Sequence, residues 1–203
     1  DVSILDLLGR QEVNLNRSAI SKYIYGKKVL VTGAGGSIGS ELVKQCLGFD
    51  PDLLILFDQS ENNLFHVDNL CSQYGSTTGI QPILGDIRDK KILDSVFNSF
   101  KPHVVLHAAA YKHVPMQELN PWEAVNTNIQ GTINLVEASE VHNIERFVLV
   151  STDKAVNPTN VMGVTKRIAE QIIQAKSIDT KVKYMAVRFG NVIGSSGSVI
   201  PTF

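Results

Sequence analysis

Six short runs constrain this chain more than anything else in it: KKVLVT (27–32), LLILFD (53–58), IQPILGD (80–86), HVVLHA (103–108), RFVLVS (146–151) and KYMAVRF (183–189). Their apolar residues mostly follow one another instead of alternating with polar ones, as in strands covered on both faces. Helix-patterned segments lie between them, near 37–48, 60–74, 89–99, 121–142 and 161–177. Strand–helix alternation of this kind builds right-handed crossovers and parallel strands. The fold class expected is therefore α/β, a doubly wound Rossmann-type parallel sheet with helices on both faces. Residues 1–26 carry no strand core and read as an N-terminal arm that packs on one Rossmann-type domain at 27–203. No internal repeat or low-complexity linker interrupts the pattern.

The chain has 203 residues, 43% of them hydrophobic and 19% charged, enough for one domain with a large core. A net charge of -1 without any run of five or more Lys and Arg gives no basis for nucleic-acid binding, so small molecules or proteins are the expected partners. Cys46 and Cys71 are the only cysteines and form no CxxC. Two reduced, buried thiols in a cytoplasmic protein are expected, with no disulfide framework and no metal site. No apolar stretch reaches the ~18 residues that a membrane span needs, and the first residues lack a signal peptide's basic and apolar sections.

In doubly wound sheets ligands bind beyond the carboxyl ends of the strands. After the first run comes TGAGGSIGSE, with Gly33, Gly36 and Gly39 spaced GxxGxxG ahead of a helix. Glycines there permit a tight turn and close approach of a pyrophosphate to a helix N-terminus. The second run ends at Asp58, 19 residues after Gly39, where a carboxylate can accept both hydroxyls of an adenosine ribose. It would repel a 2′-phosphate, and no arginine follows in QSENN, so NAD is favoured over NADP. GDIRD ends the third run and sets Asp86 and Ile87 where an adenine edge and face could be held. Taken singly, these residues could be strand-capping acids and turn glycines.

The fifth run leads into STDKAVNPTNVMGVTK (151–166). Asp153 and Lys154 put a carboxyl and an amine side by side at the sheet's carboxyl edge, as an acid–base pair requires, although a solvated salt pair would look the same. Met162 lies one helical turn before Lys166, on the same face, where a tyrosine would be easy to explain. His103 and His107 flank a strand and read equally well as satisfied core or edge histidines. His66 and His142 fall on helix faces, Tyr111 could wall a pocket, and Trp122 after Pro121 reads as packing on a helix N-terminus.

TGxxGxxG resembles the extended short-chain dehydrogenase/reductase superfamily. HAAAYKHVPMQELNPWEAVNTNIQGTINLVEA (107–138), STDKAVNPTNVMGVTK (151–166) and RFGNVIGSSGSVIPTF (188–203) narrow this. They resemble the polysaccharide-biosynthesis nucleotide-sugar 4,6-dehydratases, typified by UDP-N-acetylglucosamine 4,6-dehydratases. The resemblance implies that Gly33, Gly36, Ser37, Ile38 and Gly39 cradle the pyrophosphate of NAD, with Asp58 on the adenosine ribose and Asp86 and Ile87 on the adenine. Ala108, Ala109 and Ala110 would let the cofactor lie against the backbone, and Lys166 would hold the nicotinamide ribose. Lys112, His113, Arg188 and Asn191 would face a UDP-sugar, and Asn128 would bond a neighbouring backbone. A homo-oligomer is expected. Relatives continue past GSSGSVIPTF with a part that closes over the nucleotide, so the chain reads as a piece of a longer protein. The DLLGR arm resembles a linker that follows membrane helices in some relatives, which would put that protein at the inner face of a membrane.

Such a lyase takes hydride from C4 of the sugar, removes the acidified C5 proton, expels the C6 hydroxyl and returns hydride to C6. The resemblance gives Asp153 as the acid for the leaving hydroxyl and Lys154 as the base at C5, which calls for a raised aspartate pKa and a lowered lysine pKa. In most of the superfamily a tyrosine stands where this chain has Met162, and a thioether cannot take a proton from the C4 hydroxyl. Either the chain is inactive, or another group replaces the phenol, or Met162 is core packing. The resemblance to an active methionine-bearing subgroup favours replacement, with Thr152 bonding the C4 oxygen and Asp153 or Lys154 receiving its proton. Two rival functions stand beside the dehydratase. A nucleotide-sugar 4-epimerase would not need the Asp153–Lys154 pair, and a non-catalytic NAD-binding sensor would leave that pair without a purpose.

Overall fold

The structure, a computed structural model, describes residues 16–190 and residue 192. The DLLGR segment, Asn191 and residues 193–203 lie outside the described residues. Asn16 accepts from the Ala19 amide and starts α1 (Arg17–Ile24). Then come β1 (Lys28–Thr32), α2 (Ser37–Leu47), β2 (Leu53–Asp58), α3 (Glu61–Gln73), β3 (Gly79–Leu84), α4 (Lys90–Phe100) and β4 (Val104–His107). Next follow α5 (Val114–Leu119), α6 (Pro121–Ala124), a π-helical stretch (Val125–Gln130) and α7 (Gly131–Val141). The last are β5 (Arg146–Thr152), a 3-10 turn (Asp153–Ala155), α8 (Val161–Lys176) and β6 (Lys183–Phe189). Ser60, Asp89 and Asn160 supply the side-chain oxygens that cap α3, α4 and α8.

All six strands pair in parallel, in the order β3-β2-β1-β4-β5-β6. The chain winds outward in one direction from β1 and in the other from β4, so the crevice between those two strands is the switch point where an α/β sheet takes its ligand. Leu30, Ile55 and Phe147 point to one face, under Leu93 and Phe97 of α4, Leu135 of α7 and Ile173 of α8. Val29, Val31 and Leu54 point to the other, under Ile24 of α1, Val43 and Leu47 of α2 and Val67 of α3. The sheet is doubly wound, as the sequence pattern implies.

One expectation needs correction: not every strand is covered on both faces. β1, β2 and β4 are buried on both faces, but β5 alternates buried with half-buried residues and β6 is largely exposed. Among the described residues, α1–α3 cover the second face only as far as β4, which leaves Val148, Val150, Met185 and Val187 partly uncovered. Two helices also go beyond the sequence pattern. α1 rests on the turn after α2 through Arg17, which donates to the Gly48 carbonyl and lies over the Phe49 ring. α5 is six residues opened by Pro115, too short to show a helical period.

Candidate functional site

The carboxyl ends of β1, β2, β3 and β4 enclose a cleft of about 190 Å³. Gly33, at φ +66°, turns the chain sharply there, and a Cβ on it would come within 2.7 Å of Ala109 Cα. A Cβ on Gly39 would overlap the Gly33 carbonyl, so glycine at both positions lets α2 start against β1. Gly36 differs: a Cβ there would meet only the Gly33 carbonyl, at 3.3 Å, and its open side faces the cleft. Gly36 also caps α2, and so its missing side chain leaves room at the helix N-terminus for an anion. Asp58 is buried at the end of β2, where its two oxygens accept the Gly35 and Ser60 amides, each at 2.9 Å. Each oxygen keeps acceptor capacity for a further donor.

Ile87 is buried and forms one wall of the cleft. A Cβ on Gly131 would come within 2.5 Å of Ile87 Cδ1, and Asn134 donates to the Ile87 and Arg88 carbonyls, so α7 fixes that wall. Neither Gly131 nor Asn134 stands out in the sequence, since both sit inside a helix pattern. Burial alone would raise the Asp86 pKa, but bonds from the Arg88 side chain and amide outweigh it and hold the carboxyl below its usual range. Ala108, Ala109 and Ala110 form the opposite wall. Thr127 is another residue that the sequence does not single out. It lines the cleft, is buried, and its hydroxyl has no partner. The open side of Gly36, the Asp58 carboxylate and the unpaired Thr127 hydroxyl together fit an extended phosphate- and ribose-bearing ligand.

The acid–base candidates meet on the 3-10 turn after β5. Asp153 Oδ1 accepts from Thr152 Oγ1 at 2.9 Å and from Lys154 Nζ at 3.1 Å. Because Asp153 is more than half exposed, bonds from Lys154 and Thr152 decide its pKa and lower it. The raised value expected of a catalytic acid is therefore not found. α8 packs closely behind this turn: a Cβ on Gly163 would come within 2.6 Å of the Lys154 carbonyl. The first turn of α8 is satisfied by Asn160, which accepts from the Gly163 amide, and by Glu118 of α5, which accepts from the Val161 amide.

Met162 and Lys166 are both buried. Lys166 Nζ donates to the Val150 carbonyl at 2.9 Å, and burial pushes its pKa down to about 8 against the opposing pull of Glu170. Asn128 sits in the π-helical stretch. Its amide bonds both backbone groups of Tyr111 and the Thr165 hydroxyl, tying the loop after β4 to α8. His103 and His107 are satisfied structural residues. His103 Nδ1 accepts from the Lys28 amide. His107 lies between Thr32 at 2.7 Å and Thr132 at 3.0 Å. Thr132 spends its one hydroxyl hydrogen on the Asn128 carbonyl, so it must accept from His107 Nε2–H, leaving Nδ1 to accept from Thr32. Burial, with the Lys166 charge adding to it, pushes the His107 pKa down to about 3.

Arg188 has a different partner from the expected sugar nucleotide: both arms of its guanidinium bond Glu170, at 2.7 and 2.6 Å. Asn191 lies outside the described residues. Lys112 and His113 are exposed just before α5, and Trp122 is also exposed instead of packed. Both cysteines are free and buried, and burial raises the Cys46 pKa to about 12 and the Cys71 pKa to about 11. Among the described residues, no group of three or more His, Cys, Asp or Glu could hold a metal ion, and no helix is long and apolar enough to cross a membrane.

Residues 29–203 match the family described as polysaccharide biosynthesis protein. The chain is 50% identical over its whole length to capsular polysaccharide biosynthesis protein CapD of Staphylococcus aureus, of which it covers 34%. It is 35% identical to the inverting UDP-N-acetylglucosamine 4,6-dehydratase of Campylobacter jejuni, with 88% of this chain and 53% of that protein covered. It is equally similar, at 35%, to a UDP-glucose 4-epimerase of Rickettsia bellii, with 87% and 52% covered. Among solved structures, Pen from Bacillus thuringiensis superposes with a TM-score of 0.81 at 36% identity, over 89% of this chain and 55% of that one. A UDP-glucose 4-epimerase from Brucella ovis in complex with NAD shares the fold at a TM-score of 0.70 and 23% identity, over 81% and 52%. The chain thus spans between a third and somewhat over half of the proteins it matches.

Proposed function

The chain belongs to the polysaccharide biosynthesis protein family, whose relatives modify nucleotide sugars, and from that premise we propose that it is the NAD-binding part of a UDP-N-acetylglucosamine 4,6-dehydratase. The acid–base turn carries the reading: Thr152, Asp153 and Lys154 are joined by hydrogen bonds at the carboxyl edge of β5. A 4-epimerase needs only the C4 oxidation and has no use for two proton-transfer groups at C5 and C6.

NAD held in this cleft would supply the hydride carrier between C4 and C6 of the sugar. In this reading Gly33, Gly36, Ser37, Ile38 and Gly39 hold the pyrophosphate at the start of α2, and Asp58 holds the adenosine ribose. The Asp58 carboxylate favours NAD over NADP, because a 2′-phosphate would bring negative charge against it. Ile87 and Asp86 bound the adenine, Ala108–Ala110 admit the cofactor close to the backbone, and Lys166 bonds the nicotinamide ribose. Thr152 hydrogen-bonds the C4 oxygen in place of the missing phenol, and Asp153 takes the C4 hydroxyl proton as hydride leaves. Lys154 takes the C5 proton, and Asp153 gives the proton it gained to the departing C6 hydroxyl. The lowered Asp153 pKa describes the turn without substrate. A sugar seated over it would displace water and raise that pKa through desolvation, and transfer of the Lys154 bond from Asp153 to substrate would add to the rise. Lys112, His113 and Asn191 are assigned to the sugar nucleotide.

The test is to give the full-length protein UDP-N-acetylglucosamine with NAD in deuterated water. A UDP-4-keto-6-deoxy product with deuterium at C5 is expected. A C4 epimer without C5 exchange would make the protein an epimerase, and NAD binding without turnover would make it a sensor.

A further inference from the structure

Glu170 lies one turn beyond Lys166 on α8, and its carboxylate is only 6% exposed. Ser151 Oγ donates to Oε1 at 2.6 Å, Arg188 donates to both oxygens, and Arg167 reaches Oε2 at 3.2 Å. Burial alone would raise its pKa, but these donors outweigh burial and keep it ionised, Arg188 foremost.

The donors come from places that bear on the acid–base turn. Ser151 immediately precedes Thr152, and Arg188 is its register partner on β6. Two residues on, Gly190 faces Asp153, and a Cβ there would come within 3.3 Å of Asp153 Oδ2. Among the described residues β6 is the edge strand, paired with β5 and little buried, so β5 and the Arg188–Glu170 bond hold its end in place. Asp153 is exposed and Lys154 half-exposed, and they bond each other and Thr152. Gly163 of α8 against the Lys154 carbonyl and the Lys166 bond to the Val150 carbonyl hold the turn to α8 on the β5 side. A single buried carboxylate on the same helix adds the tie across both strands, gripping β5 at Ser151 and β6 at Arg188.

We propose that Glu170 and Arg188 are positioning residues: their bidentate bond sets Thr152, Asp153 and Lys154 at a fixed distance from Lys166, and so aligns proton transfer at the sugar with the cofactor site. This rests on the dehydratase reading of the same turn. Misplacing a catalytic group by about an ångström costs on the order of a hundredfold in rate, and the loss of an outer hydrogen-bond partner typically costs about ten- to a hundredfold.

The test uses the full-length protein and two variants. Glu170→Gln keeps the shape but replaces the carboxylate with an amide. Arg188→Lys keeps the charge, loses the fork and changes a half-exposed side chain, so it folds even if the first variant does not. In each, kcat per NAD-binding site is expected to fall about tenfold or more, while KM and the NAD dissociation constant stay within about twofold. The C5 exchange rate in deuterated water should fall with kcat, and the double variant should lose no more than the worse single variant. Unchanged kcat in Arg188→Lys would overturn the proposal. So would a loss confined to melting temperature and NAD affinity, because that is what packing alone would give. Wild-type protein that neither dehydrates nor exchanges C5 would instead remove the dehydratase reading, whatever the variants do.

Discussion

At the scale of single residues, Met162 and Thr127 give opposite lessons. Met162 stands where a proton-handling tyrosine is usual, yet it is buried beside the Lys166 turn and has no polar duty open to it. Met162→Leu conserves volume, so it should cost less than ~1.5 kcal/mol in stability and leave turnover within about twofold. Asp153→Asn should reduce dehydration by about a hundredfold or more with NAD affinity unchanged, as the loss of a general acid does. Steady-state kinetics with NAD titrations on both variants check this pair, and full activity in Asp153→Asn would remove the acid assignment. Thr127 is hidden in the sequence because a threonine in a helix pattern ordinarily returns its hydroxyl to its own helix. Thr132 does so onto Asn128 and Thr165 onto Met162, but the hydroxyl of Thr127 has no partner. Replacing an unpaired buried hydroxyl with a methyl is neutral or stabilising for the free protein, whereas removing a bond to a ligand costs about tenfold in affinity. Thr127→Val should therefore leave the melting temperature without NAD unchanged or higher and weaken NAD binding about tenfold, read by calorimetry and thermal denaturation of one preparation.

At the scale of elements, the sequence announces what has a period or a fixed spacing and conceals what depends on a neighbour. The strand runs and the GxxGxxG loop are local patterns, so the parallel sheet and the cradle glycines are legible in the amino-acid order alone. The break of the 121–142 helix into α6, a π-helical stretch and α7 is not local. It sits where Asn128 leaves the helix face to hold Tyr111, and a helical wheel does not record that. The role of Arg188 is concealed for the same reason: its partner Glu170 is 18 residues away and on another element. α7 offers a test at this scale, since Gly131 opens it and leaves space for Ile87. Alanine favours a helix by up to about 1 kcal/mol over glycine, but its Cβ would displace the Ile87 side chain from the cleft wall. Gly131→Ala should hold global stability within about 1 kcal/mol and weaken NAD binding several-fold. Equal affinity in denaturant-matched titrations would show that Ile87 does not shape the cofactor site.

At the scale of the whole molecule, the sheet order 3-2-1-4-5-6 brings the cradle of β1, Asp58 of β2 and the turn after β5 to one edge, with β4 at the centre. His107 ends β4, buried between Thr32 of β1 and Thr132 of α7, and so joins the two halves of the winding. Its folded pKa of about 3 lies below the ordinary value of 6.5, which means that the unfolded chain binds a proton the folded chain refuses. Stability therefore rises with pH between those values, is fully present above 6.5, and is lost as pH falls towards 3. One pKa unit is worth about 1.4 kcal/mol, so His107 alone should remove about 2 kcal/mol between pH 7 and pH 5. Glu170 and Asp86, both held below the usual carboxylate range, lose their contribution at lower pH, so the first part of the acid transition isolates the histidine. Urea unfolding at pH 7 and pH 5 measures it. His107→Phe should be less stable at both, since Thr32 and Thr132 lose their shared partner, but its stability should change little between them. A variant that loses as much as the wild type over that interval would place the acid sensitivity elsewhere, outside the seam between β1 and β4.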